Sequence, residues 1–124
     1  MKKLLLTFRI LVTLAMGVFG LQKIVMPIPE LIEFGMLWIE DFPAWQVRTI
    51  GALEVLGVLG LNAPVFVKRI PSVLGRVAAA GLGLTMVGAI LTHVNRADPP
   101  ASIIITSALF AMCVALAGVR ATRA

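Results

Sequence analysis

The sequence predicts an all-α fold: an integral membrane antiparallel four-helix bundle with a short amphipathic outer segment. Three observations lead there. The chain of 124 residues is 60% hydrophobic and only 14% charged, with a mean hydropathy of +1.02, whereas soluble domains are about half apolar and about a quarter charged. The apolar residues gather into four runs, each close to the ~20 residues that cross a hydrocarbon core. Prolines and charges collect between those runs. A chain of this length holds one membrane domain, residues 1–124.

The first predicted span covers about residues 4–25. Lys2 and Lys3 precede it as they would in a signal peptide, but Arg9 interrupts the apolar run and no A-x-A cleavage site follows. It reads as a retained span. The second, third and fourth spans cover about 45–66, 73–94 and 101–119. Pro27, Pro29, Pro43, Pro64, Pro71, Pro99 and Pro100 mark the breaks, where a missing N–H costs little. The outer loop 26–44 places Leu31, Phe34, Leu37 and Trp38 at helical spacing, mostly opposite Glu30, Glu33, Glu40 and Asp41. That pattern predicts a short amphipathic helix on the outer surface, serving either as a lipid-facing anchor or as a lid over a cavity. Trp38 and Trp45 suit the headgroup zone.

The net charge of +5 does not point to nucleic acid, because the cations sit at the ends of apolar runs. Lys2, Lys3, Arg9, Lys68, Arg69, Arg76, Arg120 and Arg123 fall at the termini or around the second loop, against Lys23, Arg48 and Arg96 on the other side. The excess places both termini in the cytoplasm of a cell-membrane, multi-pass protein. The acids partition the opposite way: Glu30, Glu33, Glu40, Asp41 and Asp98 are all on the outer side.

Helices in lipid associate through small residues. Gly51, Gly57 and Gly60 on the second span, Ala78, Gly81, Thr85, Gly88, Ala89 and Thr92 on the third, and Ala108, Ala111, Ala115 and Gly118 on the fourth supply such faces. They predict a bundle with short connections. Neither G-x-G-x-x-G nor a Walker-type loop follows a strand-like run. The single Cys113 reads as a small buried hydrophobe. The single His93 leaves a metal or haem without a ligand set.

Two charges fall inside spans. Glu54 lies near the middle of the second, where an acid costs roughly 2.5–3.5 kcal/mol. It must face the bundle and be protonated or paired. Arg9 is accommodated either by a bridge to Glu54 or by snorkelling to the inner headgroups. His93, Gln22, Lys23 and Arg48 stand at the outer ends of their spans and are candidates for a polar pocket above Glu54. Asn62 and Arg76 read as turn and interface residues.

The runs LAMGVFGLQKIV, RTIGALEVLGVLGL and VAAAGLGLTMVGAILTHV resemble the DoxX-like group of small four-span membrane proteins, from about Arg9 into the fourth span. The G-A-L-E segment with a later G-A-I-x-x-H is the most distinctive part. Arg9, Lys23, Glu54 and His93 occupy positions where such proteins place polar residues. The resemblance implies a link to quinone-coupled thiosulfate oxidation in archaea, to bacterial redox-stress complexes and, in a distant animal branch, to receptor assembly. It makes a quinone the implied ligand. The expected role is an accessory membrane subunit, with no catalytic residue assigned, that binds a quinone or lipid head group at Glu54. The alternative is an assembly partner of a larger membrane protein. The expected partners are the lipid bilayer and a membrane protein or a second copy of the chain.

Overall fold

The computed structural model describes residues 2–118. Val119, the expected end of the fourth span, and the terminal cations Arg120 and Arg123 lie outside the described residues. Four helices are long and apolar enough to cross a membrane: α1 (Lys2–Val25), α3 (Ala44–Phe66), α4 (Ser72–Arg96) and α5 (Pro100–Gly118). They pack in the ring order α1, α3, α4, α5, with the α1–α5 seam the least extensive. Connections 67–71 and 97–99 are too short for anything but antiparallel neighbours. Leu14, Leu56, Leu84 and Ile104 are exposed on the outside of the ring, as lipid-facing side chains are. The protein is a multi-pass membrane protein.

Proline chemistry sets most of the helix starts. Pro43 and Pro71 stand at the N-caps of α3 and α4, where the absent N–H would have no partner. Pro64 differs from expectation: it sits inside the last turn of α3 rather than at a break.

The outer segment departs from a single amphipathic helix. It forms two short pieces, α2 (Ile28–Glu33) and a 3-10 helix (Leu37–Asp41). Gly35, at φ +116°, ends α2: its N–H reaches the Ile32 carbonyl, and the Met36 N–H reaches the Leu31 carbonyl. That is a Schellman turn, which favours glycine at the left-handed position. The break changes which apolar residues turn inward. Leu31 and Ile39 are buried with Val47 of α3 in a small core of their own, flanked by Trp38 and Phe42, while Phe34 and Leu37 are exposed. Residues 26–43 thus cap one end of the bundle.

The main core occupies the other half. Val12, Leu61, Ala79, Cys113 and Leu116 are buried there. Cys113 is fully buried and lies where an added Cβ on Gly83 would touch it at 3.5 Å.

The small-residue faces divide. On α3, Gly57 accepts the Leu82 side chain and Gly60 faces Ala78. On α4, Gly81 and Gly88 have nothing within 4 Å of an added Cβ, so they are not packing sites within this chain. The tightest approach to backbone is between α1 and α3. A Cβ on Gly51 would lie 2.6 Å from the Gly20 carbonyl oxygen and 2.7 Å from the Lys23 Cβ. Gly51→Ala is expected to push α1 from α3 and to cost about 1–3 kcal/mol, read as a lowered thermal midpoint in detergent. Gly81→Ala, made where space is open, should leave that midpoint unchanged or raise it. Equal effects at the two positions would refute the close-contact assignment.

Candidate ligand-binding cavity

Between the capping segment and the main core, the four long helices line an open cavity of about 640 Å³. Met16, Met86 and Leu109 belong both to its wall and to the core and so form its floor. Met36, Trp38 and Phe42 line it from the cap. Its size lies within the ~300–1,000 Å³ usual for small-molecule sites, which are mostly apolar with a few placed polar groups. Phe19, Leu53 and Ile105 line it and are also exposed, so its wall reaches the lipid-facing surface.

The close approach of Gly20 and Gly51 explains the first polar feature. Lys23 follows Gly20 by three residues and Glu54 follows Gly51 by three, so both point across the same narrow contact. The Lys23 ammonium donates to Glu54 Oε1 at 2.5 Å, and the two residues are only 8% and 2% exposed. The ammonium also lies 5.5 Å from the centre of the Trp38 ring, within cation–π range. Trp38 is itself held edge-to-face on Phe42. The second carboxylate oxygen, Glu54 Oε2, makes no hydrogen bond among the described residues. Glu54 lines the cavity.

Glu54 is therefore paired, but with Lys23 and not with Arg9. Arg9 lies fourteen residues before Lys23, about 21 Å along the helix at ~1.5 Å per residue, and meets α3 near its other end. Its guanidinium donates to the Leu61 carbonyl at 2.5 Å, next to Gly60, whose carbonyl loses its i+4 donor to Pro64. It does not snorkel free of the bundle.

Arg48 and Gln22 lie off the cavity wall. Arg48 donates to the carbonyls of Lys23 (2.8 Å), Ile24 (3.2 Å) and Met26 (2.5 Å). It caps the C-terminal end of α1, where orphan carbonyls and the helix dipole favour a cation. The Gln22 amide oxygen is buried with no hydrogen-bond partner among the described residues. Asn62 joins α3 to α1 by donating to the Thr13 hydroxyl at 2.9 Å. Arg76 donates to the Ala117 carbonyl at 2.9 Å, an interface role for both.

His93 does line the cavity, and it has a partner that reading the sequence missed. Its Nδ1–H donates to Asp98 Oδ2 at 2.7 Å. α4 ends in a second Schellman turn, with the Ala97 N–H on the Val94 carbonyl and the Asp98 N–H on the His93 carbonyl. Ala97 takes the left-handed conformation at φ 55°, which costs a non-glycine residue about 1–2 kcal/mol. That turn folds the Asp98 carboxylate back over the ring. Arg96 Nε reaches both Asp98 oxygens at 3.3 Å, and its other arm binds Asp41 of the cap. The sequence signal was the spacing of His93 and Asp98 across a helix end, which a turn centred on alanine conceals.

The hydrogen bond from His93 holds the Asp98 carboxyl below the ordinary carboxylate range; burial opposes this and Arg96 adds to it. A depressed pKa in the folded state stabilises the fold above the unfolded value, about 3.9. That contribution is lost as pH falls through the lower folded value. The thermal midpoint of Asp98→Asn should therefore fall less than that of wild type between about pH 6 and about pH 3. Parallel curves would show that the Asp98 contacts do not stabilise the fold.

Among the described residues, no three His, Cys, Asp or Glu side chains gather as a metal site requires. No curated protein and no solved structure matches the chain. A family model does, that of the DoxX-like family, over residues 7–116. That stretch takes in most of each of the four long helices, the capping segment and every polar group of the cavity, and the chain belongs to the DoxX-like family.

Proposed function

We propose that this protein is a membrane accessory protein that holds the polar head of a membrane-dissolved hydrophobic molecule, a quinone or a lipid, in the cavity beneath residues 26–43. The observation that carries this reading is a volume of about 640 Å³, apolar over most of its wall, with Glu54 and His93 set into it. An apolar wall suits a ring or chain, and a few placed polar groups suit its head. Phe19, Leu53 and Ile105 give the wall a lipid-facing edge, which suits a ligand that arrives through the bilayer. With both termini cytoplasmic, as the lysine and arginine distribution favours, the polar end of the cavity lies toward the outer leaflet of the cell membrane. The association with a membrane redox pathway rests on the character of the family and on no residue of this chain.

The test is mass spectrometry of the full chain gently extracted from its native membrane. A quinone or one lipid species retained near one per chain is the expected result. Gly88→Phe should reduce that retention by at least about tenfold: Gly88 lines the cavity with nothing within 4 Å of an added Cβ, and one blocked contact of ~1.4 kcal/mol suffices. Retention unchanged by the filled cavity would sink the reading.

A second reading, a non-catalytic assembly or stabilising partner of a larger membrane protein, draws on Gly81 of α4. That residue is an exposed small residue with no neighbour in this chain, of the kind against which helices dock in lipid. On this reading the Lys23–Glu54 pair fixes helix register only. A stoichiometric protein recovered with the chain, and no small molecule, would favour it.

A further inference from the structure

The polar groups of the cavity differ in what they have left to offer. Its cation is committed: the Lys23 ammonium is held by Glu54 at 2.5 Å and by the Trp38 face. Arg96, behind His93, is held by Asp41 and Asp98. Hydroxyl donors are mostly committed too. Thr85, Thr92 and Thr106 donate back to the carbonyls of Gly81, Gly88 and Ser102 in their own helices. The acceptors are open. Glu54 Oε2 is unbonded among the described residues. His93 lines the cavity whereas Asp98 does not, and Nε2 is the ring nitrogen that makes no hydrogen bond among the described residues. With Nδ1–H donated to Asp98, the neutral ring presents Nε2 as an acceptor.

We propose that the cavity selects a neutral, hydroxyl-headed amphiphile as a hydrogen-bond donor to Glu54 or His93, and discriminates against the matching ether and against anionic heads. This rests on the reading of the cavity as a ligand site and narrows its ligand class. An ether has no proton to give either acceptor, and leaves the one its oxygen faces desolvated and unpaired. An anionic head meets a carboxylate while the nearby cations are already neutralised. Ser102, whose hydroxyl makes no hydrogen bond among the described residues, lines the same cavity. It donates to the ligand oxygen, and a hydroxyl is the group that donates and accepts at once.

The probes are 4-dodecylphenol, its methyl ether 4-dodecylanisole, and dodecyl phosphate. Each is titrated into the full chain in neutral-lipid nanodiscs and followed by native mass spectrometry. The phenol should bind at least about tenfold tighter than the ether, the equivalent of one hydrogen bond of ~1.4 kcal/mol, and tighter than the phosphate. His93→Phe should shrink the preference for phenol over ether, and His93→Gln, which keeps an acceptor, should restore part of it. Equal binding of phenol and ether overturns the donor rule while leaving the cavity reading intact. Tightest binding of the phosphate overturns it in favour of a cation-lined site. Binding of none of the three overturns the cavity reading and this proposal together. Because the three probes are compared on wild-type protein, a variant that fails to fold does not weaken the result.

Discussion

A carboxylate cannot stand alone in hydrocarbon, and much of this structure answers that constraint. Glu54 reaches Lys23 only because Gly20 and Gly51 let α1 and α3 approach until one added methyl group would collide with backbone. The pair then fixes the relative height of the two helices, since a shift of one turn would strand both charges. Removing one partner of a buried pair costs about 3–5 kcal/mol, whereas replacing both with apolar groups is often neutral. The pair therefore contributes register more than stability. It also reaches beyond α1 and α3: by holding Lys23 beneath Trp38, it ties the capping segment to the bundle interior.

The cap is fastened at three further points, each a helix end. Arg48 takes the carbonyls that end α1, Val47 enters the small core beneath Leu31 and Ile39, and Arg96 joins the end of α4 to Asp41. Between helices in lipid there is no hydrophobic force to close a gap, because acyl chains are as apolar as leucine. Polar ties at the ends of the helices can thus hold them at a spacing that their side chains do not fill. The same bonds that cap the bundle maintain the cavity below.

The four helices were legible because hydropathy and proline placement are local signals, strong over twenty residues. The acid in the second span was legible for the same reason: one charge in an apolar run is conspicuous. Its partner was not. Arg9 looked the better candidate as a cation within a span, and Lys23 at a span end read as part of a polar pocket above Glu54 rather than as its partner. Only the antiparallel register, set by the Gly20–Gly51 contact, decides that residue 23 and not residue 9 faces residue 54. Gly20 itself carries no mark that separates it from Gly17 or Gly81. The cap escaped similarly, because Gly35 breaks the helical period that Leu31, Phe34 and Trp38 suggest. Asp98 was hidden by Ala97, which adopts a conformation that sequence assigns to glycine or asparagine.

The distribution of side-chain size along the bundle bears on what the cavity does for the fold itself. Toward the termini the interior is Leu, Val, Met and Cys in contact. Toward the cap, α4 and α5 turn Gly88, Ala89, Ser102 and Thr106 to the same interior, and no packing among residues so small closes the space. The space opens to the lipid-facing surface at Phe19, Leu53 and Ile105, so membrane atoms rather than side chains complete its contacts. Atoms that enter from the membrane, whether acyl chain or specific ligand, therefore contribute to folding as directly as a side chain does. An occupant that binds the folded form alone stabilises it in proportion to the logarithm of its concentration over its dissociation constant. On the proposed ligand reading, Glu54 and His93 would make that occupancy selective, because a hydrocarbon tail fills the volume but offers neither acceptor a donor. On that reading, selectivity in the site and stability of the bundle are two consequences of the same small-residue lining.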